Sequence, residues 1–260
     1  MRLSRLALSA LALALAAAGA QAQAQEAGGP AAPLKPVSGT AAHAMVSAAN
    51  PLAVAAGVKV LRAGGDAIDA AVAIQAVLGL VEPQSSGLGG GGFMVYYDAK
   101  TKQATAYDGR ETAPAGATPD MFEGPDGRPL PFGVAVLSGR ATGVPGAIAA
   151  LALAHKDHGR LPWKSLFGDA MAMGTNGFVV PQRLGADANA DGFAEAKAPD
   201  VIAYLTKPDG TKIKAGDTLK NPAYAATLRR LADEGIDALL EGKIAADIVA
   251  RTHDAPWPGP

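Results

Sequence analysis

The chain has 260 residues, 49% of them hydrophobic, 5% aromatic and 18% charged, with a formal net charge of −1 and no cysteine. That length and apolar content can build a core in one large domain or two small ones. The near-neutral charge, with no basic stripe, excludes a nucleic-acid surface, and the lack of cysteine excludes a disulfide scaffold.

At the N-terminus, Arg2 and Arg5 precede LALSALALALAAA, and small-residue sites follow at Ala20-Gln21-Ala22 and Ala22-Gln23-Ala24. A basic start, a short apolar centre and A-x-A sites form the pattern of a cleaved secretory signal. The apolar run is too short to span a bilayer comfortably, and no stop-transfer segment follows. We expect a signal peptide over 1–24, a flexible Pro-, Gly- and Ala-rich lead-in over 25–41, and a domain over 42–260. The expected address is periplasmic or secreted, with no stable membrane anchor.

HAMVSA, from His43 to Ala48, reads as a first strand. Asn50 then stands where a helix N-cap would, with Pro51 at the first helical position. Val54, Val58 and Leu61 recur at helical spacing, and Gly64-Gly65 ends the helix. Asp66 caps a second helix with Asp69 three residues on, and no charge occurs from Ala70 to Val81, which predicts burial on most sides. FMVYYD and QATAYD, joined by AKTK, read as a hairpin that leads into GRETAP (109–114).

Residues 118–132 are turn-rich. GVPG (143–146) opens a helix to about Lys156, and LPWKSLFGDAMAMGTNG reads as one further helix stopped at Asn176-Gly177. KPDGTKIKAGD reads as an exposed hairpin or turn, Asn221-Pro222 starts a helix to about Asp233, and EGKIAADIVART is the last helix. The sequence closes on HDAPWPGP, the composition of a loop between elements, which reads as the front part of something longer.

The glycine-rich stretch SSGLGGGGF (85–93) invites a phosphate-binding reading. A Walker loop needs G-x-x-x-x-G-K-[ST] before a helix, and a dinucleotide fingerprint needs strand, loop, helix. Here the order is helix, loop, strand, and no Lys-Ser or Lys-Thr pair follows Gly92. The remaining use of Gly87, Gly89, Gly90, Gly91 and Gly92 is steric, to let another backbone or a ligand come close.

Residues 50–98, NPLAVAAGVKVLRAGGDAIDAAVAIQAVLGLVEPQSSGLGGGGFMVYYD, followed by DGRETAP and by GVPGAIAALALAHKDHGRLPWKSLF, closely resemble the N-terminal part of the γ-glutamyltransferase family (γ-glutamyltranspeptidase, glutathione hydrolase). The similarity runs from about His43 to at least Phe178 and more loosely to the last helix. The resemblance implies an α+β, N-terminal nucleophile hydrolase-like four-layer α-β-β-α sandwich, incomplete in this chain. It implies a precursor that cuts itself into a large and a small subunit. The new N-terminal threonine of the small subunit attacks the γ-glutamyl amide of glutathione and related compounds. The acyl-enzyme then passes its group to water or to an amino-acid or peptide acceptor. No cofactor and no metal is implied.

This chemistry is physically coherent. A threonine hydroxyl needs a base, which its own α-amine can be, and the tetrahedral intermediate needs backbone donors. The substrate α-carboxylate needs a fixed cation, which arginine supplies as a two-pronged donor. Arg110, in DGRETAP, matches the family arginine that holds this carboxylate. Without its motif it would read as a surface arginine paired with Asp108 or Glu111. Glu111 and Thr112 are expected to brace the loop, and Gly87–Gly92 to pack tightly near the substrate pocket.

The family's threonine-rich nucleophile motif has no counterpart here. Thr252, beside His253, reads as a helix-end residue, so no catalytic residue is expected in this chain and the chain alone is expected to be inactive. The expected partners are γ-glutamyl compounds, an acceptor, and a small subunit from the same precursor or a separate chain. His155 and His158 have a spacing that could supply two metal ligands, but with no third nearby they read as cations at a helix C-terminus. Asp66 and Asp69 read as caps, and Trp163 and Trp257 as packing residues. Two alternatives remain at this stage: a related acylase acting on glutaryl or β-lactam side chains, and a non-catalytic periplasmic protein that binds γ-glutamyl compounds.

Overall fold

Helix α1 (Pro51–Arg62) forms where its cap is local: Asn50 Oδ1 accepts from Leu52 N at 3.0 Å and Pro51 occupies the first turn. Gly64, at φ 93°, stops it in a conformation open to glycine. Helix α2 (Ala67–Val81) starts on a reciprocal cap: Asp66 Oδ1 accepts from Ile68 N and Asp69 N, while Asp69 Oδ2 accepts from Asp66 N. The two helices pack together, and the contact depends on a small residue. A Cβ on Gly57 of α1 would lie 2.7 Å from Ile74 Cδ1 of α2. The uncharged stretch of α2 is the centre of the core: Val72, Ala76, Val77, Leu80 and Val81 are all buried.

The computed structural model describes residues 39–190 and 198–254. By contact the chain separates into Met1–His43 and Ala44–Pro260, and the described helices and strands belong to the second unit. The expected signal peptide and nearly all of the lead-in lie outside the described residues. Residues 43–48, expected as a strand, have no regular structure. Among the described residues no strand lies beside them to complete a ladder, and Val46 packs over Gly57 of α1 instead.

Strands β1 (Gly92–Asp98) and β2 (Gln103–Gly109) form the expected antiparallel hairpin, in a register that pairs Phe93 with Asp108 and Tyr97 with Ala104. Alternation gives the hairpin two unlike faces. Met94, Tyr96 and Tyr107 pack on Ile68, Ala150 and Ala154. The other face leaves Phe93, Val95 and Tyr97 at 72%, 74% and 60% exposure. After the hairpin come α3 (Phe132–Ala135), a 3₁₀ turn (Gly139–Ala141) and α4 (Ala147–His158), which lies under the hairpin.

The single helix expected over 161–177 is two pieces: a 3₁₀ segment (Trp163–Phe167) and α5 (Gly168–Asn176). The break lets Trp163 and Phe167 turn inward, with Trp163 Nε1 donating to Leu231 O at 2.8 Å. The remainder is β3 (Phe178–Val179), α6 (Gln182–Asp187), α7 (Pro199–Tyr204), β4 (Thr218–Leu219), α8 (Pro222–Glu234), α9 (Asp237–Leu240) and α10 (Gly242–Asp254). Strands β3 and β4 pair with each other, and α8 packs on α5, where Asn221 N donates to Gly174 O. The described unit is thus a mixed α and β structure in which helices carry most of the core.

Candidate active-site cavity

The glycine-rich loop is rooted in a buried polar cluster. Glu82, 2% exposed, accepts from Asn50 Nδ2 and Gln84 Nε2, each at 2.8 Å, and lies 3.6 Å from Arg183. Arg183 also donates to Ser85, and Gln75 Nε2 donates to Ser86 Oγ and Gly87 O. A buried carboxylate is tolerated when its oxygens are met in this way. From this root the loop runs to a crossing of three backbones. Gly90 O accepts from Gly146 N and Ala147 N, the opening amides of α4. A Cβ on Gly109 would stand 2.7 Å from Gly146 O, one on Gly146 would stand 2.9 Å from Arg110 O, and one on Gly91 would stand 2.7 Å from Glu111 N. Gly91, Gly109 and Gly146 are therefore steric and allow the loop, the end of β2 and the start of α4 to touch, whereas a Cβ at Gly89 or Gly92 would meet open space, so the expected crowding does not extend to every glycine of the loop.

That crossing positions the arm that carries Arg110. Asp108 Oδ1 accepts from Arg110 N at 2.9 Å and turns the chain out of β2. Thr112 and Val144 then pair as an isolated antiparallel bridge, Val144 N donating to Thr112 O at 2.9 Å. Thr112 braces the arm, as the sequence suggested. The Arg110 side chain is 65% exposed, with Nη1 3.0 Å from Glu111 Oε2. That distance is within ion-pair range, but Glu111 Oε2 is buried and receives no aligned hydrogen bond. A guanidinium this exposed, with five N–H donors, has the capacity for a second carboxylate.

Arg110, Glu111, Thr112, Gly89, Phe122 and Arg140, with their neighbours, line a cavity of about 540 Å³. This is a suitable size for a small metabolite. Arg140 was not foreseen. It sits in the 3₁₀ turn just before GVPG, and its Nη1 donates to Met121 O at 2.6 Å and to Glu123 O at 3.3 Å. The cavity lining thus includes the paired Arg110 and Glu111, and Arg140, whose guanidinium is engaged with the carbonyls of Met121 and Glu123. The only sequence cue for Arg140 was a lone basic residue beside the GVPG block.

The other candidate residues have structural roles. Asp69 is fully buried and accepts from Arg160 N and Leu161 N as well as from Asp66 N, so it ties the 159–161 turn to α2. His155 Nε2 lies 3.4 Å from Asp69 and 2.9 Å from Leu161 O, and His158 stacks on Tyr96 with ring centroids 4.0 Å apart. Both histidines are packed into the turn and the hairpin, in addition to ending α4. Among the described residues no three His, Cys, Asp or Glu side chains are grouped to hold a metal ion. Thr252 lies inside α10, its hydroxyl donating to Val249 O at 2.8 Å. Trp257 lies outside the described residues.

Residues 53–257 match the family model described as gamma-glutamyltranspeptidase. The chain is 42% identical over 210 residues to the glutathione hydrolase proenzyme of Bacillus subtilis (strain 168), covering 81% of this chain and 35% of that protein. It superposes on the Helicobacter pylori gamma-glutamyltranspeptidase with a TM-score of 0.78 at 30% identity, covering 85% of this chain and 62% of that one. Cephalosporin acylase from Bacillus halodurans is a more distant match, with a TM-score of 0.62 at 29% identity over 77% of this chain and 37% of that one. The chain spans about a third of the Bacillus relative's length. With the family model covering most of its length, the chain belongs to the γ-glutamyltranspeptidase family.

Proposed function

We propose that this chain is the substrate-anchoring part of an exported enzyme that cleaves γ-glutamyl amides such as glutathione. The γ-glutamyl group passes through an acyl-enzyme to water or to an amino-acid or peptide acceptor. The observation that carries this reading is Arg110: a largely exposed guanidinium, on a braced arm, inside a cavity of metabolite size. Its role is to grip the α-carboxylate of the γ-glutamyl group. The nucleophile, an N-terminal threonine with its own amine as base, comes from a small subunit made by the same precursor or separately. Within these residues the chemistry is binding and orientation, which fixes the scissile amide relative to a nucleophile supplied from outside.

The finer fold reading belongs to the same proposal. The bare face of the β1–β2 hairpin, with Phe93, Val95 and Tyr97, is what an inner layer of a four-layer α-β-β-α sandwich would leave open for its partner sheet. The basic and apolar leader over 1–24 supports export to the periplasm or beyond. The acylase alternative has the weaker structural match, and the name of the Bacillus relative favours glutathione.

Steady-state kinetics of the complete protein on a γ-glutamyl anilide test the reading. Arg110→Ala should raise KM by roughly a hundredfold, the loss expected of a two-pronged charged contact, with Arg110→Lys in between. A KM within twofold of wild type for Arg110→Ala would refute the clamp. Faster turnover of a glutaryl amide than of the γ-glutamyl amide would favour the acylase.

A further inference from the structure

The turn-rich segment between the Arg110 arm and α3 makes a small self-bonded hairpin. Glu123 pairs with Pro129, Gly124 N donates to Arg128 O, and Leu130 N donates to Phe122 O. Its other backbone bonds are equally local, from Ala117 N to Pro114 O, Met121 N to Thr118 O, Glu123 N to Asp120 O and Gly127 N to Gly124 O. Among the described residues, the hydrogen bonds that reach this hairpin from a distance come from Arg140, to Met121 O and Glu123 O. Met121 and Phe122 line the same cavity as Arg110, on the side that Arg140 holds.

We propose that Arg140 is a positioning residue. It clamps the 121–130 hairpin in place as the outer wall of the Arg110 cavity, and through Met121 and Phe122 it selects the amine portion of the donor. The proposal rests on the γ-glutamyl reading above. Both carbonyls are met by one guanidinium nitrogen, Nη1, whose N–H directions are fixed by the planar group, whereas a lysine ammonium on its flexible stem fixes no such plane. The wall it positions is apolar and aromatic, so it suits a bulky, apolar amine and has little to offer a small one. Fixing that wall lowers the cost of ordering it around the donor. Arg110 fixes one end of the substrate and Arg140, acting through the hairpin, shapes the space at the other.

The test uses the complete protein with Arg140→Ala and Arg140→Lys, assayed on a γ-glutamyl anilide and on γ-glutamyl methylamide. Arg140→Ala should raise KM for the anilide roughly tenfold, change KM for the methylamide less than twofold, and leave kcat for the methylamide near wild type, with Arg140→Lys partly restoring the anilide KM. In parallel, endoproteinase Glu-C should cut after Glu123 faster in Arg140→Ala than in wild type. Equal KM changes for both amides, or a lost methylamide kcat, would mean a general structural role and overturn the selection. An unchanged Glu123 cut would overturn the clamp. If wild type turns over neither amide, the γ-glutamyl reading fails and the selection role with it, while the Glu-C comparison still decides the clamp.

Discussion

Asp69 shows how one residue can be read correctly and still be underestimated. Its spacing from Asp66 marks it as a cap, and the reciprocal cap is present. The same carboxylate also collects Arg160 N and Leu161 N from a turn about ninety residues on, which no local pattern could announce. Removing it leaves three backbone donors without their acceptor, in a fully buried site. We expect Asp69→Ala to cost about 3–5 kcal/mol, measured by urea unfolding. A loss below about 1 kcal/mol would reduce it to an ordinary surface cap. Arg110 was legible because its whole motif was. Arg140 was not, because its importance comes from two carbonyls seventeen or more residues away.

Elements with their own local instructions were the most legible. The caps at Asn50, Asp66 and Asn221 each bond a backbone amide within three residues, and all three helices start where expected. The β1–β2 hairpin has a short connection and clear strand composition. Elements that depend on distant partners were misread or not seen: residues 43–48, without a neighbouring strand, and the break at Gly168 that lets Trp163 reach α8 were misread, and the two-residue pairing of β3 with β4 had no sequence reading. The packing of α8 on α2 also sets a pH response. Tyr224 donates to Ala76 O at 2.9 Å, and a Cβ on Gly79 would meet its ring at 3.2 Å. Burial pushes the Tyr224 phenol well above its ordinary value. A pKa raised in the folded state means this contribution is fully present below the unfolded value, about pH 10, and is lost as pH rises beyond it. Tyr224→Phe should therefore lose about 1 kcal/mol at pH 7 and show a shallower fall in stability from pH 9.5 to 11. An identical alkaline slope in both proteins would contradict this.

For the molecule as a whole, the balance between what is covered and what is open matters most. The core around α2 is closed, yet the hairpin shows Phe93, Val95 and Tyr97 on one continuous face. If that face meets a second sheet layer in the complete protein, Val95→Asp buries a charge there and should lower its melting temperature by roughly 5 °C or more. An unchanged melting temperature would mean the face meets water. Function rests on the cavity lined by Arg110. The most direct measurement is a crystal structure of the complete protein with L-glutamate bound. The α-carboxylate should be held by both prongs of Arg110, with the γ-carboxyl directed away from Arg110 toward the nucleophile. Glutamate bound elsewhere, with the Arg110 side chain still against Glu111, would contradict it.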